Sequence, residues 1–337
     1  MRAAVIAFSE NGYTLGERLM SFFSGNGYST VLTRCEHGTL KAWTREHFED
    51  DALIFIGSCA IAVRAISPFL TDKTRDPAVI VIDELALHVI ALLSGHIGGA
   101  NQLAVTLANF LDSTPVITTA TDINGVFSVD SWAVKNCLQI ANPDRIKPVS
   151  SRLLAGESVN VKCDFPISGR LFDGLRLCEK GGHLIITYRT RGPKESLRLI
   201  APVVTLGIGC KKGITADDIE SAFLQTLKKA DCHPLAVARV CSIDLKADEP
   251  GILEFCRRHR LPYQTFSAQE LMALPGIYTS SAFVKQITGV DNICERSAVL
   301  GSGEGGRLLS GRQSGNGITM ALALSPHTIC FDEEERL

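Results

Sequence analysis

Short apolar runs alternate with amphipathic segments along the first third of the chain. Residues 3–8 (AAVIAF), 52–57 (ALIFIG) and 78–83 (AVIVID) are continuous apolar runs typical of buried strands. Residues 14–24 (TLGERLMSFFS) instead place apolar side chains at helical spacing, as do residues 98–111 (GGANQLAVTLANFL). Together with the strand-like segments STVLT, HVIALL and TPVITTAT, this alternation predicts βαβ units and a largely parallel sheet.

The rest of the chain divides into an irregular stretch and a second α/β pattern. Residues 135–200 mix a short helix, turns and one clear strand, so they form either a small middle module or an elaborate linker. From residue 201 a strand leads into a glycine turn, and Thr215 caps the following helix. The segments AVARVCSID and ITMALAL then predict strands, and ADEPGILEFCRRHR, SAFVKQITG and NICERSAVLGSG predict helices.

These patterns predict an α/β protein of two three-layer domains with mainly parallel sheets. We expect a flavodoxin-like N-terminal domain at residues 1–134, a middle module at 135–200 and a C-terminal α/β domain at 201–337.

Composition and charge exclude several classes of protein. The formal net charge of −2 gives no overall attraction to nucleic acid or to an anionic membrane. The 11 cysteines include no C-x-x-C pair, which argues against structural zinc and favours a reduced, cytoplasmic chain. Residues 85–111 carry no formal charge, but polar residues at their centre argue against a membrane-spanning helix. No secretory signal is visible at the start.

The segment LLSGHIGGANQLA (92–104) holds the first candidate site. His96 lies between a predicted strand and a predicted helix, and Gly95, Gly98, Gly99 and Asn101 surround it. Ligands of parallel α/β sheets bind beyond the carboxyl ends of strands, where backbone N–H groups favour negative charge. His96 could transfer a proton near neutral pH. An ordinary strand-to-helix turn explains the glycines equally well.

The segment TTATDINGVFSVD (118–130) follows the next predicted strand. It places Thr118, Thr119, Thr121, Asp122 and Asp130 in or just after a loop. If this loop neighbours the first one, Asp122 could orient or deprotonate His96. Simple helix capping by threonine and aspartate is the alternative.

Two segments of the C-terminal half carry further candidates. GIGCKKG contains Gly207, Gly209, Lys211 and Lys212, but its spacing is one residue too long for a dinucleotide-binding fingerprint. SIDLKADE contains Lys246 and Glu249, for which an ion pair or a cap is the simpler explanation.

Arg64, Lys73 and Arg75 near residues 63–77 form either a charged helix face or a carboxylate-binding rim. Neither G-x-S-x-G nor H-E-x-x-H occurs.

Taken together, these segments resemble the cobalt-precorrin-5A hydrolase family, the G protein of the anaerobic cobalamin pathway. The resemblance rests on VRAISPFLTDKTRDPAVIVIDE, LLSGHIGGANQLA and PVITTATDINGVFSVDSWA in the N-terminal half. TLGIGCKKGIT, SIDLKADEPGI and ITGVDNICERSAVL extend it, in the same order, through the C-terminal half.

The resemblance implies a substrate and a reaction. The substrate is a cobalt-containing, ring-contracted tetrapyrrole with a δ-lactone, and the enzyme opens this lactone and releases the C20 two-carbon fragment as acetaldehyde, giving cobalt-precorrin-5B. Cobalt arrives inside the substrate, so we expect no cofactor and no metal site of the protein's own. Transient contact with neighbouring pathway enzymes is expected, and contact with nucleic acid or membrane is not.

Roles for the candidate residues follow from the implied chemistry. Lactone opening needs a base for water, donors for the oxyanion and an acid for the leaving oxygen. We expect His96 to be the base, oriented by Asp122, and the amides of Gly98 and Gly99 to be the oxyanion donors. The remaining residues are expected to bind the substrate and its carboxylates, with the macrocycle between the two α/β domains: Gly95, Asn101, Thr118, Thr119, Arg64, Lys73, Gly207, Gly209, Lys211, Lys212, Lys246 and Glu249.

Two other functions remain open from the sequence. A tetrapyrrole-binding chaperone or scaffold without catalysis would share the same glycines and bases. A nucleotide-dependent α/β enzyme is disfavoured because the phosphate-binding fingerprints are absent.

Overall fold

The computed structural model describes residues 1–71 and 75–332 of the chain. The chain divides into two units, of which the first comprises Met1–Val134 with Leu153–Ala155 and the second Lys135–Arg152 with Gly156–Leu337.

The first unit is built from alternating strands and helices. Its strands are β1 (Arg2–Ala7), β2 (Ser29–Arg34), β3 (Ala52–Ile56), β4 (Ala78–Ile82), β5 (His88–Leu93) and β6 (Thr114–Val116). Its helices are α1 (Glu10–Gly25), α2 (Leu40–His47), α3 (Cys59–Ile66), α4 (Ala100–Leu111), α5 (Ala120–Ile123) and α6 (Val129–Lys135). Of the predicted strand TPVITTAT, only Thr114–Val116 pairs in the sheet.

The six strands form one sheet in the order β2-β1-β3-β4-β5-β6. The first four are mutually parallel, whereas β5 runs antiparallel to β4 and β6 runs parallel to β5. Only residues 83–87 separate β4 from β5, and a parallel crossover needs a dozen residues or more, so the chain must turn back. The carboxylate of Asp83 holds this turn by accepting hydrogen bonds from the amides of Leu85, Leu87 and His88.

Helices cover both faces of this sheet. Side chains that point to one face, such as Val5, Ile54 and Ile80, pack with Phe23 of α1 and Leu107 of α4. The alternate side chains of the same strands pack with α2 and α3 on the other face. Each central strand is therefore apolar at consecutive positions, which is why its sequence reads as a continuous run.

The described residues of the second unit form three sheets. Its strands are β7 (Gln139–Ile140), β8 (Val159–Cys163), β9 (Ile167–Ser168), β10 (Leu175–Leu177), β11 (Leu184–Thr187), β12 (Leu197–Ile200), β13 (Val204–Cys210), β14 (Val237–Ile243), β15 (Tyr263–Phe266), β16 (Arg307–Gly315), β17 (Ile318–Leu324) and β18 (Ile329–Cys330). Its helices are α7 (Ile146–Leu154), α8 (Ala216–Ala230), α9 (Pro250–His259), α10 (Ala268–Ala273), α11 (Ala282–Thr288) and α12 (Ile293–Gly301).

The strands of the second unit are again mostly parallel. One sheet has the order β10-β8-β11-β12-β7, in which only β7 is antiparallel to its neighbour. The other large sheet has the order β15-β14-β13-β17-β16, in which β15, β14 and β13 are parallel and β17 and β16 are antiparallel additions. The two-stranded sheet pairs β18 with β9. The chain therefore has the predicted α/β class with mainly parallel sheets.

Two features of the described residues bear on the composition arguments. None of their helices combines the length and apolar character needed to cross a membrane. All 11 cysteines lie within the described ranges and are free thiols.

Candidate active site

The loop between β5 and α4 carries His96, and its glycines are needed for local packing. A Cβ atom on Gly95 would lie 2.6 Å from Asn101 Oδ1, and one on Gly98 would lie 2.5 Å from Ser94 Cβ. Gly99 has a left-handed φ of 80° at the position preceding α4, which glycine adopts without strain. The loop thus brings the backbone close to its own side chains and leaves His96 and Asn101 facing the next loop.

His96 is held between two carboxylates from the following segment. His96 Nε2 lies 2.8 Å from Asp122 Oδ2, and His96 Nδ1 lies 3.2 Å from Asp130 Oδ2. The hydroxyl of Thr121 is 3.2 Å from Nε2. The two loops are neighbours because β5 and β6 are adjacent parallel strands, and α4 and the segment after β6 both begin at the same edge of the sheet.

Asn101 connects the two loops a second time. Its side-chain amide donates hydrogen bonds to Thr119 Oγ1 at 2.7 Å and to Asp122 Oδ2 at 3.1 Å. The same carboxylate oxygen of Asp122 is therefore hydrogen-bonded to both the imidazole of His96 and the amide of Asn101. Thr118, by contrast, is exposed at the end of this loop.

The three charged side chains differ in their access to solvent. The side chain of Asp130 is 9% exposed, that of His96 15% and that of Asp122 37%. Asp122 is therefore the member of the cluster that a bound molecule could reach most easily.

The charges of the cluster follow from these contacts. Burial alone would lower the pKa of His96, but hydrogen bonds and charge attraction from Asp122 and Asp130 raise the pKa to about 9. The hydrogen bond from His96 lowers the pKa of Asp122. Burial would raise the pKa of Asp130, but the same imidazole outweighs it and the pKa is lowered. At neutral pH the cluster is one imidazolium between two carboxylates.

This charge state bears on the sequence-based prediction that His96 is a base. A base must be unprotonated before it can accept a proton, and a group with a pKa of about 9 is protonated at neutral pH. Both ring nitrogens are also occupied by carboxylates. The geometry therefore opposes the assignment of His96 as the base.

The predicted oxyanion donors also differ from each other in the structure. The amide of Gly99 donates to the carbonyl oxygen of His96 at 3.0 Å, so it is already used within the turn. The amide of Gly98 has no acceptor among the described residues. Of the two amides, that of Gly98 is therefore the one not engaged by another described residue.

Gly207 and Gly209, predicted to bind substrate from a glycine turn, lie inside strand β13 instead. A Cβ atom on Gly207 would lie 1.8 Å from the carbonyl oxygen of Cys294 in α12, and one on Gly209 would lie 2.8 Å from Thr319 Oγ1. Gly207 therefore allows α12 to pack directly on the strand. This close packing corrects the prediction, because the protein itself fills the space beside both glycines.

Lys246 and Glu249 form the ion pair that was the simpler explanation of their segment. Lys246 Nζ lies 2.7 Å from Glu249 Oε2, and Glu249 Oε1 accepts a hydrogen bond from the amide of Gly213 at 2.7 Å. Burial would raise the pKa of Glu249, but the lysine and the amide lower it. Glu249 thereby fixes the turn after β13 and engages Lys246 within the protein.

The other predicted cations remain on the surface. Lys211 and Lys212 are exposed just after β13, and Arg64 is exposed in the last turn of α3. Lys73 lies outside the described residues.

Asp130 is the functional candidate that the sequence-based selection of catalytic residues left out. It is one of the few buried carboxylates in the described chain, and it sits in a serine- and aspartate-rich segment that resembles an ordinary helix cap. It lies 34 residues from His96 along the chain, so no local sequence motif links the two residues.

The two carboxylates bond opposite ring nitrogens of His96, so protons can be exchanged among the three side chains. Within the described parts of the chain, no group of three or more His, Cys, Asp or Glu side chains is placed to hold a metal ion. The first unit is therefore an α/β fold with a cluster of one histidine and two carboxylates at the edge of its sheet.

Comparison with known proteins identifies the family. Residues 42–122 match the model described as "Cobalamin synthesis G N-terminal", and residues 204–323 match "Cobalamin synthesis G C-terminus". The chain is 33% identical to a cobalt-precorrin-5A hydrolase of Salmonella typhimurium, over 96% of this chain and 97% of that protein. It is 30% identical to the protein of the same name from Priestia megaterium, over 96% and 95% of the two chains.

A solved structure is similar over the same range. It is described as a cobalamin biosynthesis protein G homolog from Sulfolobus solfataricus, with 23% identity, 96% coverage of both chains and a TM-score of 0.42. On the sequence relationships above, the chain belongs to the cobalt-precorrin-5A hydrolase family, as its motifs predicted.

Proposed function

We propose that this protein hydrolyses cobalt-precorrin-5A. The observation that carries the proposal is identity of 33% along almost the full length of a protein with that name. The reaction opens the δ-lactone of the cobalt tetrapyrrole, releases the C20 two-carbon fragment as acetaldehyde and leaves cobalt-precorrin-5B. Cobalt enters as part of the substrate.

The reaction has two proton-transfer steps. In the first, water adds to the lactone carbonyl, and the bond between the acyl carbon and the C20 oxygen breaks, so that a carboxylate and a C20 carbinol form. In the second, the carbinol loses its proton, the bond between C20 and the ring breaks, and its electron pair passes into the conjugated macrocycle. The macrocycle takes up a proton, and C20 leaves as the aldehyde carbon.

We assign the proton transfers to Asp122 rather than to His96. Asp122 is ionised at neutral pH and is the most exposed member of the cluster. Its carboxylate can accept a proton from water, return it to the C20 oxygen and later take the carbinol proton. The amide of Gly98 is the candidate donor for the oxyanion of the tetrahedral intermediate.

The exposed cations are the candidates for binding the substrate's acetate and propionate groups. Arg64, Lys211 and Lys212 are exposed, whereas Lys246 is already bonded to Glu249. A guanidinium or an ammonium ion binds a carboxylate by a charge-assisted hydrogen bond.

The proposal predicts that Asp122→Asn abolishes most of the activity. Removing a proton-transfer group lowers a rate by about 10²–10⁴-fold, so acetaldehyde release should fall at least about 100-fold. Acetaldehyde is measured by coupling it to NADH oxidation with alcohol dehydrogenase, with purified cobalt-precorrin-5A as substrate. The matched control is Asp173→Asn, because the side chain of Asp173 is 98% exposed.

Two results would count against the proposal. Wild-type protein that binds the cobalt tetrapyrrole without releasing acetaldehyde would support a binding or chaperone function instead. Full turnover by Asp122→Asn would show that the protein is a hydrolase but that Asp122 does not transfer the protons.

A further inference from the structure

The contacts of His96 specify the protonation state of its ring. An ionised carboxylate only accepts hydrogen bonds, and the two ring nitrogens of His96 each face one. A neutral imidazole carries a single N–H, so one of its nitrogens would present a lone pair to a carboxylate oxygen. Only the imidazolium has a proton for each partner.

The contacts of Asp130 leave one of its carboxylate oxygens for the ring of His96. Its Oδ1 accepts hydrogen bonds from Ser128 Oγ at 2.9 Å and from the amide of Ser131 at 3.2 Å, which leaves Oδ2 for His96. Its side chain is 9% exposed, and a buried carboxylate of this kind requires a charged or hydrogen-bonding partner. His96 is the cation that the structure places against it.

We propose that Asp130 is a positioning residue that fixes His96 as an imidazolium at neutral pH, and that this cation holds the carboxylate of Asp122 aimed at the substrate. The part of this inference that concerns substrate rests on the proposed function. The part that concerns the charge of His96 does not. His96 then acts through Asp122 and accepts no proton during turnover.

Each member of the cluster then has a different role. Asp130 determines where the ring lies, because it is the more deeply buried of the two carboxylates. The ring presents Nε2 to Asp122, and Asn101 supports the same oxygen from the other loop. Asp122 is also the most exposed of the three side chains, so it is the member that meets the substrate. Asp122 and Asp130 are the charged groups that face the ring among the described residues.

The charge of His96 can be measured without substrate. In the full-length protein, ¹⁵N-detected NMR titration follows both ring nitrogens, and His96→Gln identifies the signal by its loss. We expect both nitrogens to be protonated at neutral pH and the pKa to lie about 9. In Asp130→Asn the pKa should fall by at least about one pH unit, because one of two opposite charges is removed.

A second variant and an activity measurement complete the test. Ser128→Ala removes only the hydroxyl that holds Asp130, and it should give a smaller fall in the same pKa while preserving the fold. Asp130→Asn should lower kcat with little change in KM, and Asp130→Glu should restore part of it.

Clear results would overturn the inference. A wild-type His96 that titrates near the ordinary histidine value of about 6.5 would do so, as would an unchanged His96 pKa in a folded Asp130→Asn protein. If the NMR result holds and no acetaldehyde is released, the proposed function fails while the charge assignment stands.

Discussion

At the scale of single residues, the site depends on glycines that make room for polar side chains. Gly95 has no Cβ where Asn101 needs space, and Asn101 in turn bonds the carboxylate of Asp122. The glycine-rich loop therefore makes room for the side chains that pack against it. The close approach of neighbouring side chains to the backbone, rather than a need for flexibility, explains why glycine occupies positions 95 and 98.

We expect Gly95→Ala to reduce activity more than stability. The new methyl group would lie 2.6 Å from Asn101 Oδ1, and this side chain can rotate away at small cost to folding but with loss of its bond to Asp122. Acetaldehyde release and urea unfolding should be compared in the same preparations. Gly25→Ala is the control, since a Cβ there meets no atom within 4 Å. Unchanged release by Gly95→Ala would exclude this role of Asn101.

The residue types of this site could be predicted from the sequence, but their charge state could not. His96, Asp122 and Asn101 stand in motifs that follow strands, so their proximity was expected. The prediction that His96 is the base assumes an ordinary histidine pKa, and the two carboxylates beside the ring raise that pKa to about 9. Only the position of Asp130, distant along the chain, shows that the ring has two anionic partners.

At the scale of elements, the packing of α12 on β13 explains a motif that resembles a ligand-binding loop. GIGCKKG contains glycines at close spacing, and the sequence pattern alone suggests a turn. In the structure the strand continues through both glycines to Cys210, and the backbone of α12 lies against Gly207.

Gly207→Ala should therefore destabilise the protein strongly. A methyl group 1.8 Å from the carbonyl oxygen of Cys294 forces the helix off the strand, and overpacking of this kind costs about 1–3 kcal/mol. The free energy of unfolding in urea measures the effect. Gly315→Ala in β16 is a matched control, because its Cβ would lie in open space. Equal stability of the two variants would show that α12 packs elsewhere.

Other elements show where sequence patterns carry too little information. β16 was not predicted because its sequence, RLLSGRQSG, is polar and rich in glycine, as an edge strand beside β17 can be. β7, β9 and β10 have only two or three residues each, too few for a period to be seen. The reversal of β5 was predictable, since its connection from β4 is too short for a crossover.

At the scale of the whole molecule, family membership carries more of the functional argument than fold does. α/β sheets with helices on both faces serve many unrelated reactions. The predicted domain boundaries at residues 134 and 200 remain predictions. What the structure adds is a cluster of His96, Asp122 and Asp130 whose chemistry can be tested.

The pH dependence of acetaldehyde release under single-turnover conditions tests the central claim most directly. A group whose pKa is raised stays charged below that pKa and loses its charge above it. With His96 as a fixed cation and Asp122 as the proton-transfer group, the rate should be level through neutral pH and fall above about pH 9. A rate that rises with pH, with its midpoint at the ordinary histidine pKa of about 6.5, would show that neutral His96 is the base. That result would contradict the account.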